Sequence, residues 1–416
     1  MRRIPLVLVL VGILVIALGS LVVAAGIGGG VLYSTHDGTD VGPVGPPDFD
    51  SAERLLLPPG NLTVGNGGVS VDPGHATSNS FARMQTTYEI STLRGELEAV
   101  DDPDDALELV RADVDEYEAM VDDAIVTEQA AYEQYARGDS SSAAFLAELG
   151  ALYDRSAVLE EQADLYVDIV RGLPTPTDQQ QVTLLRGDLS QLKHEVSGLR
   201  GPVKADLAAD LAGESVSSSH VYLQASADGY TVSTTDGGVF TRQVYVAENR
   251  DRDGGSGFTD IEAAREATAA LYPWTFEHSI GTDSVLRGGI YWVRIDHPHG
   301  TTTTYVDSGT ERPFREIQET NLASVPTVEV ATTVESDIAV TVDRTYAGGP
   351  AQVHVMDADV DEPIPDASVD VDDRPVTSTD ETGAAWFVTP GDRFVVTVEH
   401  GGIETSLRIW IPTASR

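Results

Sequence analysis

The sequence contains no cysteine and only two lysines, Lys193 and Lys204. Without cysteine the chain forms neither disulfides nor thiolate metal sites, and it has no cysteine nucleophile. Basic residues are scarce overall, because 26 Lys and Arg stand against 67 Asp and Glu and leave a net charge of −41. A chain this poor in cations offers no basic patch to neutralise phosphates, so we expect no nucleic acid among its partners.

The acidity indicates the solvent in which the protein works. Disordered acidic chains have few hydrophobic residues, but 41% of this chain is hydrophobic and the acids are interspersed among apolar positions. In dilute buffer so much negative charge would repel itself, whereas at molar salt the Debye length falls to roughly 3 Å and screens that repulsion. The composition therefore predicts a folded protein of an extreme halophile.

An uncharged stretch at residues 4–33 follows the two N-terminal arginines. About 20 apolar residues span the hydrocarbon layer of a bilayer, so this stretch predicts a single-pass transmembrane helix in contact with lipid. Arg2 and Arg3 favour a cytoplasmic N-terminus, which leaves the bulk of the chain extracellular. The alternative is a cleavable signal peptide, because Val23, Ala24 and Ala25 offer small residues for cleavage. Both interpretations place the remainder outside the cell.

The remainder changes pattern several times. Apolar residues recur at heptad spacing through most of 103–199, Asp-Gly turns separate three alternating segments between 221 and 246, and short alternating segments continue from 326 to 412. These patterns predict five regions: a cytoplasmic tip and transmembrane anchor at 1–33, a flexible stalk at 34–77, a helical bundle at 78–216, an α+β domain at 217–322 and a β-sandwich at 323–416.

The expected fold class is thus multidomain. It combines an N-terminal transmembrane helix, an elongated antiparallel helical bundle, an α+β domain and a C-terminal antiparallel β-sandwich. Helices with heptad repeats pack either against other helices of the same chain or against helices of a second chain, so the pattern leaves homo-oligomerisation open.

One segment has the ligand order of a calcium loop. Asn249, Asp251 and Asp253 alternate, Gly254 follows, and Asp260 stands at the twelfth position, as in an EF-hand. A strand rather than a helix enters this loop, and acids are abundant throughout the chain. The alternative is therefore a solvated acidic loop in which Asp260 serves the N-terminus of the following helix.

Two other short motifs suggest sites. Asn61 opens an Asn-Leu-Thr sequon on chain expected to be exposed, which predicts N-glycosylation. His297 and His299 flank a proline in a hairpin next to Asp296, and neutral imidazoles with a carboxylate can hold zinc. No further ligand has a suitable spacing, so the alternative is an exposed turn.

Two regions resemble known families. The helix that begins near 258–264, with strands at 291–296 and 304–311, resembles a PepSY-type module, which implies protein–protein contact at most. The segments 363–371 and 379–387 are similar to the carboxypeptidase-regulatory-like, transthyretin-type sandwich, which implies a structural role. The whole arrangement resembles haloarchaeal membrane-tethered surface proteins, a resemblance that implies no activity.

These observations predict a membrane-anchored extracytoplasmic protein with a structural or interaction role in a halophile cell envelope. We expect an envelope protein as its partner, no catalytic activity and no cofactor other than calcium. Two alternatives stay open: a ligand-binding ectodomain that uses calcium, and a hydrolase that uses the histidine hairpin.

Overall fold

The computed structural model describes residues 53–410, except 59, 174–178, 216–219, 253, 255–256, 347 and 392. The anchor expected at 1–33 and the first part of the stalk lie outside this range. Within it, no helix has both the length and the apolar character needed to cross a bilayer. The transmembrane helix of the expected fold class therefore finds no support.

Five helices form the first layer. They are α1 (Pro73–Glu98), α2 (Pro103–Ala136), α3 (Ser142–Gly172), α4 (Gln179–Gly198) and α5 (Pro202–Ala212). Asp72, Asp102 and Ser141 cap the first three helices by accepting hydrogen bonds from backbone N–H groups, as is usual at helix N-termini. Gly201 separates α4 from α5, and a Cβ there would meet Gln243 Nε2 at 1.5 Å. Gly201 also has a φ of +155°, which residues with a side chain rarely adopt, so the backbone favours glycine at this position.

The second layer is an antiparallel sheet of eight strands in the order β1-β2-β3-β4-β8-β7-β6-β5. The strands are β1 (Thr63–Gly67), β2 (Val221–Ser226), β3 (Gly229–Asp236), β4 (Val239–Val246), β5 (Gly281–Arg287), β6 (Ile290–His297), β7 (Gly300–Asp307) and β8 (Pro313–Asn321). The expected three-stranded meander corresponds to β2–β4. The first strand comes from the expected flexible stalk and pairs with β2 at the sheet edge.

The helices cover one face of this sheet, and the expected helical bundle shares part of its buried core with the sheet. Phe145 and Leu149 of α3 belong to the same buried cluster as Leu223, Tyr230 and other apolar residues of the sheet. A second cluster further along the helices joins α1, α2, α3 and α4. Heptad spacing shows which helix face is buried, but it does not show whether a helix or a sheet covers that face.

Three elements cover the opposite face. The segment 53–57 lies over β4 and β8, where Leu55 packs against Val244 and Val246. Over β6 and β7 lie α6 (Ile261–Leu271) and α7 (Pro273–Glu277). The third element is the C-terminal sandwich, which contacts β2 and β3. Tyr222 Oη donates to Pro390 O at 2.7 Å, and Thr235 Oγ1 donates to Trp386 O at 3.2 Å.

The sandwich has the expected antiparallel architecture, with nine described strands. They are β9 (Val328–Glu335), β10 (Ile338–Arg344), β11 (Pro350–Asp357), β12 (Glu362–Pro363), β13 (Ser368–Val371), β14 (Arg374–Ser378), β15 (Ala384–Val388), β16 (Arg393–His400) and β17 (Ile403–Trp410). One sheet contains β9–β12 and β15, and the other has the order β14-β13-β16-β17. Alternating residues such as Val340, Val353, Val396 and Leu407 form the core between them.

Candidate functional site

The proposed calcium loop has other roles in the described structure. Asn249 Nδ2 donates to Pro313 O at 2.7 Å. Asp260 caps α6 by accepting from Glu262 N at 3.1 Å and Ala263 N at 2.9 Å. Asp253 lies outside the described residues. Within the described part, no group of three or more histidines and acids could hold a metal ion. The calcium site, including Asp251, stays a prediction from the sequence.

An arginine of the same loop joins it to the rest of the protein. Arg250 pairs with Asp307 at the end of β7 and with Glu195 of α4, and all three side chains are almost fully buried. The neighbouring Arg252 pairs with Asp122 of α2 at 2.7 Å. The loop is therefore held to the helices by arginine–carboxylate pairs.

The histidine hairpin forms an aromatic cluster. Trp274 stacks on His278 and His299, with ring centroids 4.6 and 5.5 Å away, and it meets His297 edge-on at 5.6 Å. Burial lowers the pKa of His297 to about 4, so this imidazole is neutral near neutral pH. Its Nε2 lies 3.2 Å from Thr302 Oγ1. These contacts are those of a packed cluster, and they lend no support to the hydrolase hypothesis.

Asn61 is exposed and lies two residues before β1, which begins at Thr63. The sequon threonine, Thr63, donates its hydroxyl to Ala136 O at 2.8 Å, at the end of α2. The asparagine is thus accessible to modification, although its sequon is part of the folded body. Glycosylation there stays a prediction.

A buried charge cluster joins the helices to the sheet. Glu128 of α2 accepts hydrogen bonds from Lys204 Nζ of α5 at 2.7 Å and from Tyr230 Oη of β3 at 2.7 Å. Arg315 of β8 forms a bidentate ion pair with the same carboxylate, in which Nη1 donates to Glu128 Oε1 at 3.1 Å. Lys204 also donates to Leu199 O at 2.7 Å. Buried charges need partners of this kind, since desolvation is costly.

The cluster carries more positive than negative charge. Burial alone would raise the pKa of Glu128, but Arg315 and Lys204 outweigh burial and lower it to about 2. Burial lowers the pKa of Lys204 to about 8 despite the attraction of Glu128. Glu128 is therefore ionised at all ordinary pH values, and two cations depend on it.

A second buried pair holds the segment 53–57 against the opposite face of the sheet. Arg242 Nη1 donates to Glu316 Oε1 at 3.0 Å, and its Nη2 donates to Leu55 O at 2.6 Å. Leu55 N and Tyr272 Oη both donate to Glu316 Oε2, at 2.8 and 2.7 Å. The neighbouring residues Arg315 and Glu316 thus point to opposite faces of β8 and join a different layer on each face.

The outer face of α1 is the candidate binding surface. Phe81, Met84 and Tyr88 follow helical spacing, and they are 59%, 62% and 72% exposed. Large side chains this exposed are unusual when they lie together on one helix face. The sequence pattern indicated a helix here, but it did not reveal that these three residues face solvent.

The charge around this surface differs from that of the neighbouring helices. Residues 73–88 contain neither Asp nor Glu, whereas α2 contains eleven acids and a single arginine, Arg111. The charged side chain of this stretch, Arg83, pairs with Glu161 at 2.7 Å. We call Phe81, Met84 and Tyr88 the α1 surface. An acid-free run within an acidic chain was the sequence signal that could have identified it.

The fold defines a class of protein in which a helix-covered antiparallel sheet carries a C-terminal β-sandwich. Residues 329–407 match an archaeal fibronectin-III type-like domain, and residues 221–326 match a family of unknown function, DUF7094. Residues 1–216 match the domain of unknown function DUF7096. Because this last match covers just over half of the chain, the protein belongs to the DUF7096 family.

These matches refine the expected resemblances. The sandwich matches an archaeal fibronectin-III type-like domain, and a transthyretin-type relationship is not shown. The region expected to resemble PepSY matches DUF7094, and a PepSY relationship is not shown. No curated protein and no solved structure gives a significant match.

Proposed function

We propose that this protein is an extracytoplasmic structural protein that associates with a second copy of itself through the α1 surface. The observation that carries the proposal is the exposed apolar stripe of Phe81, Met84 and Tyr88 on an acid-free helix face. The C-terminal fibronectin-III-like domain supports an extracellular-type interaction role.

The apolar stripe supplies a driving force for association. Fully burying a large apolar side chain contributes about 1.5–3 kcal/mol. Association also costs several kcal/mol in lost translational and rotational freedom. Three side chains from each copy are therefore enough for a reversible dimer rather than a permanent one.

Charge favours a second copy as the partner. At molar salt the long-range repulsion between two chains of net charge −41 is screened, so only acids at the contact itself oppose association. The α1 surface lies on an acid-free stretch, and so does the identical surface on a second copy. A twofold interface of this kind needs a patch that is complementary to itself.

The stripe is suited to antiparallel self-packing. When two α1 helices cross midway between Met84 and Gln85, Phe81 of one copy lies opposite Tyr88 of the other. Aromatic pairs at such positions add about 0.5–1.5 kcal/mol beyond the area that they bury.

Sedimentation velocity of the full chain in molar KCl tests the proposal. We expect the sedimentation coefficient to rise with concentration for the natural chain. It should stay at the monomer value for the triple variant Phe81→Ser, Met84→Gln and Tyr88→Ser.

A matched control removes equally exposed apolar residues elsewhere. Val126 of α2 and Leu184 of α4 are 61% and 55% exposed. The double variant Val126→Ser and Leu184→Gln should associate as the natural chain does. A natural chain that stays monomeric up to its solubility limit would overturn the proposal, and so would equal loss of association in the control.

The extracytoplasmic placement has a test of its own. Asn61 is exposed, so its sequon should carry a glycan if the chain is exported. Mass spectrometry of the peptide around Asn61, from protein purified from its own cells, should show a mass increase that is absent in Asn61→Gln. An unmodified peptide would count against this placement.

A further inference from the structure

A groove lies beneath α1, on the side opposite the α1 surface. It encloses about 320 Å³ between α1, α2 and α3. Small-molecule sites usually measure roughly 300–1,000 Å³, so the groove lies at the lower end of that range. Its apolar lining comes from Ala82, Met120, Ala151, Val158 and Leu159.

The groove exists because the first part of α1 packs loosely. No residue from 73 to 89 is fully buried, and the first residues of this helix to be so are Ile90 and Leu93. The N-terminal end is attached by His75 Nε2, which lies 2.7 Å from Asp154 Oδ2. Protein interiors are normally close-packed, so a space of this size beneath a helix leaves room for a ligand.

The basic side chains that line the groove already have partners. His75 is engaged by Asp154. Arg155 Nη2 donates to Asp123 Oδ2 at 2.8 Å and to Met120 O at 3.3 Å. Neither side chain is therefore well placed to bind an anion.

Among the described residues that line the groove, one buried side-chain atom lacks a hydrogen-bond partner, and it is an acceptor. Asn79 Oδ1 is buried and receives no hydrogen bond from any described residue. Glu89 also lines the groove, and one of its oxygens accepts from Gln85 Nε2 at 2.9 Å. A buried acceptor without a donor is costly, so a ligand that brings a donor gains from this site.

We propose that this groove binds a small amphiphile whose apolar chain lies along Ala82, Ala151 and Leu159 and whose ammonium head donates to Asn79 Oδ1. An ammonium donates hydrogen bonds whereas a carboxylate only accepts them, so the unpartnered acceptor Asn79 Oδ1 favours a cationic head over an anionic one. The apolar lining favours an alkyl chain over water, because dry cavities in proteins are apolar.

Isothermal titration calorimetry of the full chain in molar KCl tests the proposal, with octylammonium chloride as the probe. We expect binding at one site per chain. Octanol, which has the same chain and a neutral head, should bind more weakly, and octanoate should give only the heat of dilution. Equal affinity for octylammonium and octanoate would overturn the proposal.

Variants locate the site. Asn79→Ala should weaken octylammonium binding by about tenfold, as expected for the loss of one hydrogen bond. Ala82→Leu fills the groove, so it should abolish binding while the chain still unfolds cooperatively. Phe81→Ser, on the outer face of α1, is the matched control and should leave binding unchanged.

Two results would contradict the groove as the site. One is unchanged octylammonium binding in both Asn79→Ala and Ala82→Leu, and the other is equal loss in Phe81→Ser. If Ala82→Leu does not fold, the Asn79→Ala and Phe81→Ser titrations still decide between the groove and the outer surface. The self-association of the α1 surface is measured separately, so one proposal can fail while the other stands.

Discussion

The junction between helices and sheet and the attachment of α1 differ in how they are held. At the junction, Glu128, Lys204 and Arg315 are buried, and their pairs link two helices to a strand. The first part of α1 contributes no fully buried residue, and its ion pair at Arg83 is half-exposed. Exposed pairs contribute about 0–1 kcal/mol, whereas breaking a buried one costs several. The junction therefore belongs to the stable body of the protein, and α1 is its adaptable part.

The comparison also shows where a cation-poor chain uses its cations. The sequence has only 26 basic residues. Lys204, Arg242, Arg250 and Arg315 nevertheless have almost fully buried side chains that connect different layers. Screening at molar salt weakens surface pairs much more than buried ones. Burial therefore keeps these pairs effective in the solvent that the composition indicates.

The largest effect is expected from Glu128→Gln. The change leaves Lys204 and Arg315 buried without a carboxylate, which should cost about 3–5 kcal/mol of unfolding free energy. Urea unfolding in molar KCl measures it. The control is Glu133→Gln on the same helix, whose carboxylate pairs with Arg137 near the surface. A similar loss in both variants would show that the junction does not depend on Glu128.

The pH dependence of stability sharpens the same point. The pKa of Glu128 is lowered from 4.5 to about 2 in the folded chain, so its stabilisation is fully present above pH 4.5. It should be lost as the pH falls from 4.5 through about 2. When the pH is lowered through this range, the free energy of unfolding should therefore fall more steeply for the natural chain than for Glu128→Gln. An equal decrease of the unfolding free energy with pH in both chains would contradict the assignment of this pH dependence to Glu128.

A smaller effect is expected where the sandwich meets the sheet. Tyr222→Phe removes the hydrogen bond to Pro390 O and should cost about 0.5–1.5 kcal/mol at this contact. Limited proteolysis of the connection at 325–327 should be faster in the variant. Tyr88→Phe, which changes an exposed tyrosine, is the control. Unchanged cleavage in Tyr222→Phe would mean that other contacts hold the sandwich.

The smallest global effect is expected from His75→Ala. The change removes the pair with Asp154 at the start of α1. Hydrogen exchange should speed up in residues 73–89 and stay unchanged in α2 and α3, because this end of α1 has no fully buried residue and can open locally. Faster exchange throughout α2 and α3 as well would show that α1 is not an adaptable part.

Regular elements with local signals were predicted well. The heptad spacing through 103–199 predicted helices there, and α2, α3 and α4 occupy most of that stretch. The meander with Asp-Gly turns corresponds to β2–β4. In contrast, β8 was missed, because Arg315 and Glu316 interrupt the alternation that marks a half-buried strand.

The candidate binding surfaces could be recognised from the structure but not from the sequence pattern. Helical spacing at Phe81, Met84 and Tyr88 is compatible with a buried stripe as well as with an exposed one. Only the packing of α1 shows that these residues face outward while Asn79 and Ala82 face the groove.

The sequence by itself determined the acidity, the lack of cysteine and the order of helical and strand-rich regions, because these depend on composition and on nearby residues. Only the tertiary structure decided that the helices cover the sheet and that β1 comes from the expected stalk. It also decided that Arg315 meets Glu128 across 187 positions of the chain. Such contacts depend on which surfaces meet after folding, and local periodicity does not encode that choice.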